Sequence, residues 1–215
     1  MSDTQQAHDS GRAAPIRLLI ADDEQLIRGA LEALLGLEPD IEVIAGVDDG
    51  AAAAERALEL RPDVCLLDLE MPRADDIVAA ERILAGAPET RIIIVTRHAR
   101  PGVLRRALAA QVSGFVPKST PAGDLADVIR SVVAGKRYID PEIAAAALTA
   151  ERCPLTDREL DVLRATRVTS SVQEIADKLF LSSGTVRNYL SAAMTKLGAG
   201  NRQDAAAHAW QQGWI

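Results

Sequence analysis

Short apolar runs alternate with segments of helical periodicity through the first half of the chain. The clearest run is Arg91–Val95, which contains Ile-Ile-Ile-Val, and the others are Ile16–Ala21, Ile41–Val47, Val64–Leu67 and Gly114–Val116. These five runs predict strands. Because they are continuously apolar and are separated by helical segments, they predict a parallel sheet that is covered on both faces.

Helical periodicity marks the segment that follows each predicted strand. The five predicted helices are Glu24–Leu37, Asp49–Leu60, Asp76–Leu84, Pro101–Ala110 and Pro121–Ala134. This alternation is typical of a doubly wound α/β fold, here built on a five-stranded parallel sheet.

Strand signals stop near Pro154, and four further helices are predicted after it. Each of these helices has a start signal of its own, which predicts a small all-α domain. The predicted N-caps, in chain order, are Thr156 with Glu159 as a capping box, Ser171 with Glu174 as a second capping box, Ser182 or Ser183, and Asn201.

The pattern divides the chain into four segments. Residues 1–15 are polar and are predicted to be a disordered lead-in rather than a secretory signal. Residues 16–136 form the predicted α/β domain, and residues 153–215 form the predicted helical domain. Between them, residues 137–152 are predicted to be a linker with a helical stretch at Ala144–Ala147.

The composition is that of a globular protein. Of the 215 residues, 48% are hydrophobic and only 3% are aromatic, so we expect aliphatic cores. No apolar run is long enough to cross a bilayer. Cys65 lies in an apolar run and Cys153 in an unrelated context, so we expect neither a disulfide nor a metal site from them. This usage fits a reducing cytoplasm.

Reactive side chains stand where the predicted strands end. Asp22 and Asp23 follow the first strand, Asp68 the third, Thr96 the fourth and Lys118 the fifth. Ligands bind at these ends of an open parallel sheet. Three carboxylates that meet there repel one another unless a cation joins them, and such oxygen ligands suit Mg²⁺. A carboxylate can attack phosphorus, and a lysine with a hydroxyl can receive phosphoryl oxygens.

Each of these residues has a structural explanation when it is taken alone. An Asp-Asp pair after a strand is often an N-cap and a first-turn acid, and a strand-end threonine or a loop lysine is common. Their joint occurrence, each at the right strand end, favours a phosphoryl-transfer site.

Four stretches, "LLIADDEQLIRGAL", "PDVCLLDLEMP", "RIIIVT" and "SGFVPK", resemble the receiver domain of response regulators, which has a flavodoxin-like fold. The resemblance covers Ile16 to Lys136. It implies that Asp68 is the phosphoacceptor. It also implies that Mg²⁺ is held by Asp22, Asp23, Asp68 and the backbone carbonyl of Glu70.

The same resemblance implies a switch. Thr96 and Lys118 would contact the phosphoryl group, and Phe115 would be the aromatic residue that rotates inward when Thr96 moves. A plain core role for Phe115 stays open.

Three departures from the receiver pattern stand near this site. Arg97 follows Thr96, where the family has a small residue, and it is expected to restrict access of the donor or to alter the phosphoryl lifetime. Asp76 replaces the usual glycine of a turn, and Ser119 replaces the proline common after Lys118. None of them removes an essential group.

The segment "VQEIADKLFLSSGTVRNYLSAAMTKLG" is typical of two helices joined by a tight turn at Leu181–Gly184. Val186, Leu190 and Met194 share one face of the second helix and are predicted to pack inward. An ordinary helical hairpin with a solvated polar face is the structural alternative. The side chains that then fall on exposed faces, where they can reach base edges and phosphates, are Arg187, Asn188, Ser191 and Lys196.

The stretches "PLTDRELDVL" and "EIADKLFLSSGTVRNYLSAAMTKLGAGNRQDAA" resemble the LuxR-type helix-turn-helix domain of NarL/FixJ regulators. The resemblance implies a recognition helix at about Ser183–Leu197, with Arg187 on a base and Lys196 on a phosphate. Three further stretches, "RPDVCLLDLEMP", "ARPGVLRRAL" and "SGTVRNYLSAAMTKL", resemble the DesR-like branch. The loop "RATRVTSS" lacks the usual glycine. The DNA-facing residues implied are Ser183, Thr185, Arg187, Asn188, Ser191 and Lys196.

Charge is distributed unevenly along the chain. The net charge is −7, but residues 153–215 hold 7 basic and 6 acidic residues while the preceding residues hold 17 basic and 25 acidic. One copy of so weakly basic a domain is expected to bind DNA weakly. Two copies are therefore expected on double-stranded promoter DNA. The resemblance implies that this homodimer forms when a sensor histidine kinase phosphorylates Asp68. The resemblance also implies that the first and fifth helices, near Leu26–Leu35 and Leu125–Val133, form the dimer contact. A plain core role for the apolar residues of these helices stays open.

Three alternatives stay open from the sequence. Carboxylates at strand ends also occur in aspartyl-phosphate phosphatases and phosphotransferases, and Glu70 has the spacing of their acid, although no cap domain is present. A phosphorylation-independent regulator would use Arg97 as a standing charge. An adaptor would turn the C-terminal helices to a protein partner instead of DNA.

Overall fold

The protein is described by a computed structural model that covers residues 14–71, 77–98, 100–149 and 152–215. These residues form two compact units. The first contains the described residues up to His98 together with Ala107–Asp140, and the second contains residues 100–106 together with Pro141–Ile215. Most of the predicted lead-in and the turn around Asp76 lie outside the described residues.

The sheet of the first unit is entirely parallel among the described residues. Its strands are β1 (Ile16–Ala21), β2 (Ile41–Val47), β3 (Val64–Asp68), β4 (Arg91–Thr96), β5 (Gly114–Pro117) and β6 (Tyr138–Ile139). They pair in the order β2-β1-β3-β4-β5-β6. The five predicted strands are confirmed. The edge strand β6 was missed because two residues are too short for any periodicity.

The helices between the strands agree with the sequence pattern to within about two residues at most ends, the usual uncertainty of helix termini. Their bounds are α1 (Gln25–Leu35), α2 (Gly50–Leu60), α3 (Val78–Gly86), α4 (Pro101–Ala109) and α5 (Ala122–Val133). The doubly wound α/β class is thereby confirmed.

The order of the strands places a crevice above the middle of the sheet. The chain winds from β1 outward to β2 and then back across β1 to β3, so the carboxyl ends of β1 and β3 flank the point where the winding reverses. All five residues of β3 are buried. Gly114 on β5 allows close packing, because a Cβ there would lie 2.9 Å from Cγ1 of Ile93.

The second unit is helical. Its core contains Ile175, Val186, Leu190 and Trp214. In the described part of the chain, no helix is long and apolar enough to cross a bilayer. The predicted helical stretch at Ala144–Ala147 is confirmed as part of the first of its helices, which are α6 (Pro141–Thr149), α7 (Asp157–Val168), α8 (Val172–Leu179), α9 (Ser183–Leu197) and α10 (Arg202–Gln211).

Side-chain caps begin four of these helices, α7 to α10, at residues that the sequence predicts. Thr156 and its glutamate form a complete capping box at α7, and Asn201 caps α10. Ser171 caps α8 through the N–H of Glu174, but the reciprocal half of that capping box is wrong. The carboxylate of Glu174 accepts from the hydroxyl of Thr169 instead, and the N–H of Ser171 donates to the same hydroxyl at 3.1 Å.

The turn before α9 is shorter than the predicted Leu181–Gly184. Ser182 is the N-cap and accepts from the N–H of Thr185 at 3.0 Å, so Ser183 already belongs to the helix. The reversal comes from Phe180, which has a left-handed φ of 55° at the end of α8. An aromatic residue at a left-handed position gave no turn signal in the sequence, because glycine and asparagine are the residues that favour it.

Candidate functional site

Asp68 is the buried end of β3, with 3% of its surface exposed. Its Oδ2 lies 2.8 Å from Nζ of Lys118, which follows β5. Its Oδ1 accepts the backbone N–H of Glu70 at 3.1 Å. The carboxylate is therefore held in one orientation at the carboxyl edge of the sheet.

Asp22, at the end of β1, is held in the same way. It is 2% exposed, its Oδ2 lies 2.8 Å from Nζ of Lys118, and its Oδ1 accepts the N–H of Glu24 at 2.9 Å. One ammonium thus bridges two buried carboxylates from the neighbouring strands β1 and β3.

A cluster of four carboxylates occupies this edge. Asp22, Asp23, Glu24 and Asp68 each offer an oxygen, and these oxygens all lie within 4.8 Å of one another. The structure brings the three predicted aspartates together and adds Glu24, whose only sequence signal was its place directly after the Asp-Asp pair. The carboxylate of Glu70 is turned aside, with its Oε1 2.5 Å from Nδ1 of His98.

Charge is poorly balanced at the centre of the cluster. Burial raises the pKa of Asp68, and the nearby Asp22 charge adds to the rise, while the hydrogen bond from Lys118 opposes it without prevailing. Burial alone would lower the pKa of Lys118, but its hydrogen bonds with Asp22 and Asp68 outweigh that effect and raise it. Both pKa shifts indicate that a single charged ammonium is hydrogen-bonded to more carboxylates than it can neutralise. A site of this kind fits a further cation.

Thr96, the last residue of β4, and Phe115, in β5, are each 1% exposed. The Thr96 hydroxyl donates to the carbonyl of His98 at 3.2 Å and accepts its N–H at 3.1 Å, so it is held by its own loop. The carbonyl of Thr96 accepts the N–H of Lys118 at 2.8 Å, which ties the ends of β4 and β5 together. The inward ring of Phe115 is compatible with both the switch and the core interpretation.

The recognition helix predicted at Ser183–Leu197 coincides with α9. Val186 and Leu190 are buried on one side of it, while Arg187 and Asn188 are exposed on the other. Ser191 is exposed one turn further on. The predicted inner face is confirmed at Val186 and Leu190, while Met194, the third residue predicted there, is only partly buried against the same core.

The hydroxyls at the start of α9 have partners inside the domain. Ser183 Oγ donates to Oε1 of Gln173 on α8 at 2.7 Å. Thr185 Oγ1 lies 2.8 Å from Oγ of Ser182. The first bond joins α9 to α8, the arrangement that a helix-turn-helix needs, and the second belongs to the N-terminal cap of α9.

Lys196 is committed to an internal ion pair. Its Nζ lies 2.8 Å from Oε2 of Glu159, which is 4% exposed and also accepts the N–H of Thr156 at 2.7 Å. Burial acts to raise the pKa of Glu159, but the hydrogen bonds from Lys196 and Thr156 outweigh it and lower the pKa overall. The sequence located Glu159 as a cap and did not reveal this second partner. The predicted phosphate contact of Lys196 stays a prediction.

Comparison with known proteins places both halves in described families. The family model of the response regulator receiver domain matches residues 18–130. That of the luxR family of bacterial regulatory proteins matches residues 153–209. The chain is a two-component response regulator with a LuxR-type DNA-binding domain.

Full-length relatives share this arrangement. The response regulator is 42% identical to the transcriptional regulatory protein YvfU of Bacillus subtilis, over 93% of its own length and 100% of the relative's. It is also 42% identical to DesR of the same organism, over 93% and 99%. A complex of the two-component response regulator RcsB with DNA superposes with a TM-score of 0.63 at 25% identity, covering 92% of this chain and 98% of RcsB.

Proposed function

We propose that this response regulator accepts a phosphoryl group on Asp68 from a sensor histidine kinase in the cytoplasm, and that the phosphorylated form dimerises and binds promoter DNA. The receiver is assigned to residues 16–136 and the DNA-binding domain to 153–215. The linker assigned to 137–152 also contains β6, which extends the receiver sheet, and α6. The observation that carries the proposal is the buried Asp68 carboxylate, 2.8 Å from Lys118 and beside a second buried aspartate.

Mg²⁺ fits the carboxylate cluster. Asp22, Asp23, Asp68 and the backbone carbonyl of Glu70 would hold the ion, and the surplus of buried negative charge supports this choice of a hard divalent cation. When bound, the ion supplies positive charge that keeps the carboxylates ionised and attracts an anionic phosphodonor.

The phosphoryl group would be received by groups of the chain itself. An oxygen of Asp68 attacks the phosphorus of the kinase's phosphohistidine, the phosphorus–nitrogen bond breaks and the histidine leaves. Lys118 is already within hydrogen-bond distance of that carboxylate. Thr96 must exchange its bonds to the His98 backbone for a bond to the phosphoryl group. That exchange shifts the loop after β4 between two pre-existing arrangements, and the ring of Phe115 moves together with Thr96.

DNA binding is assigned to the outer face of α9. Arg187 is proposed to contact a base, with Ser183, Thr185, Asn188 and Ser191 beside it, because this face is turned away from the core. Lys196 reaches a phosphate only if it gives up Glu159. The nearly neutral charge of residues 153–215 supports a need for two copies, on half-sites about one helical turn apart.

Exposed aliphatic side chains support a dimer contact through α1 and α5. Leu26 is 86% exposed and Leu34 48% on α1, and Val133 is 40% exposed at the end of α5. Leu125 and Ile129 of the predicted α5 surface are instead buried in the core of the receiver sheet. The proposed dimer contact is therefore limited to the exposed residues Leu26, Leu34 and Val133.

The test compares the parent with Asp68→Ala after treatment with acetyl phosphate and Mg²⁺. Phosphoryl uptake, dimerisation and affinity for a promoter fragment should rise in the parent and stay low in the variant. Glu89→Ala is the control, since Glu89 is exposed at the opposite end of β4. Equal dimerisation and DNA affinity in parent and Asp68→Ala would contradict the proposal and favour the phosphorylation-independent alternative.

A further inference from the structure

An ion pair spans the carboxyl edge of the sheet above Asp68. Arg97, directly after β4, donates through Nη2 to Oε1 of Glu24, directly after β1. In the sheet β3 lies between β1 and β4. The pair therefore joins the two loops on either side of the strand that ends in Asp68.

This pair sits over buried groups and is bonded to them. The side chains of Arg97 and Glu24 are 44% and 37% exposed, whereas those of Lys118 and Asp68 are 6% and 1% exposed. The same Oε1 of Glu24 lies 3.1 Å from Nζ of Lys118. A continuous chain of contacts thus runs from the exposed guanidinium down to the carboxylate of Asp68.

A second bridge holds the same loop from the other side. Nδ1 of His98 lies 2.5 Å from Oε1 of Glu70, two residues beyond Asp68. The loop after β4 is therefore bonded to the loop after β1 through Arg97 and to the loop after β3 through His98.

We propose that the Arg97–Glu24 ion pair is a gate over Asp68, which must open before a phosphodonor enters or water reaches the acyl phosphate. This inference rests on the proposed phosphorylation of Asp68. In loading, an Asp68 oxygen attacks the phosphorus of acetyl phosphate, the bond from phosphorus to the acetate oxygen breaks, and acetate leaves. In unloading, water attacks phosphorus, the Asp68–phosphate bond breaks and the Asp68 carboxylate is regenerated. Inorganic phosphate leaves with the oxygen and one proton of the water, and the other proton passes to solvent.

Entry of the phosphodonor and entry of water both require this ion pair to open. Its removal therefore accelerates both the loading and the unloading of Asp68. An exposed ion pair contributes little free energy, so it opens often and the expected acceleration is about fivefold in each direction. The phosphorylated fraction at steady state then changes little while phosphoryl turnover rises. A purely structural role for Arg97 would leave the two rates unlinked.

The experiment measures both rates in the full chain. The parent, Arg97→Ala, Glu24→Gln and the double variant are loaded with acetyl phosphate and Mg²⁺, and phosphorylation is followed on Phos-tag gels; after removal of the donor, the decay is followed. The control is Arg56→Ala, which breaks an exposed Arg56–Glu59 pair whose arginine is also 44% exposed.

The gate predicts that Arg97→Ala loads and unloads about fivefold faster than the parent. The double variant should be no faster than Arg97→Ala, and Arg56→Ala should match the parent. A normally phosphorylated parent with unchanged rates in Arg97→Ala, or faster loading without faster unloading, would overturn the gate alone. A parent that takes up no phosphoryl group would overturn the proposed function as well.

Discussion

Two lysines, one in each unit, lie at the same distance from a buried carboxylate and behave differently. Lys118 is 2.8 Å from Asp68 in the receiver, and Lys196 is 2.8 Å from Glu159 in the DNA-binding domain. The pKa of Asp68 is raised, chiefly by burial, whereas that of Glu159 is lowered because its hydrogen bonds outweigh burial.

The difference lies in what surrounds each pair. Lys118 is shared between the buried Asp22 and Asp68, whereas Glu24, which it also contacts, is paired with Arg97 as well; the two buried carboxylates therefore have one cation between them. Lys196 serves one carboxylate, which also accepts a backbone N–H from Thr156. An unbalanced charged site can respond to a cation or a phosphoryl group, while a balanced pair of the second kind holds two helices together.

The largest effect is expected from Lys118→Met in metal-free buffer at neutral pH. Loss of the ammonium leaves two buried carboxylates without a cationic partner, which costs about 3 kcal/mol of unfolding free energy. Saturating Mg²⁺ should restore a large part of it, measured by urea unfolding with and without the ion. Lys136→Met, at an exposed lysine, is the control. A loss that Mg²⁺ leaves unchanged would mean that the cluster holds no cation.

Lys196→Met should cost less and should not respond to Mg²⁺. The pair is partly exposed, at 37% for the lysine side chain, so we expect a loss of about 2 kcal/mol. The same unfolding experiment measures it, with Lys178→Met as control. Recovery of the unfolding free energy in the double variant Glu159→Gln/Lys196→Met would confirm that the loss in Lys196→Met comes from an unpaired carboxylate. A reduced salt dependence of DNA binding in Lys196→Met, without loss of stability, would instead support the phosphate contact.

Arg187→Ala should weaken specific DNA binding by about tenfold to a hundredfold, the usual value of a base contact. Because Arg187 is exposed on α9, the free energy of unfolding should stay unchanged. Fluorescence anisotropy with promoter and random duplexes measures the effect. Arg158→Ala removes a cation of the same domain on α7 and should be neutral. Equal losses of affinity for the promoter and the random duplex would mean that Arg187 contacts the DNA backbone rather than a base.

The smallest effect is a pH dependence of the DNA-binding domain. Because the folded pKa of Glu159 lies below its usual value of 4.5, the pair adds stability above pH 4.5, and this is lost as pH falls through the folded pKa. Unfolding free energy measured against pH should therefore fall less steeply in Glu159→Gln than in the parent. Identical pH profiles in the parent and the variant would mean that ionisation of Glu159 does not contribute to stability.

The sequence predicts the receiver site well because sheet topology determines it. Once Asp22 and Asp68 end neighbouring parallel strands, the carboxyl ends must meet, and no side-chain detail is needed. The edge strand β6 was too short to give a signal. Glu24 was missed because its role depends on where a flexible side chain turns, which no spacing records.

In the DNA-binding domain the sequence predicts which face of α9 is buried but not which polar residues are already engaged. Periodicity places Val186 and Leu190 inside. It places Lys196 outside. The ion pair of Lys196 with Glu159, 37 residues earlier in the chain, arises from the packing of α9 against α7, which periodicity does not reveal. The turn at Phe180 was also hidden, because its left-handed backbone is unusual for an aromatic residue.

The central claim is that the aspartates at the ends of β1 and β3 share one divalent cation and that Asp68 is the one phosphorylated. A crystal structure of the protein with Mg²⁺ and beryllofluoride tests it most directly. The account predicts one ion on Asp22, Asp23 and Asp68, and beryllofluoride bonded to Asp68 within reach of Lys118 and Thr96. Carboxylates that point apart, with no ion between them and no adduct on Asp68, would contradict it.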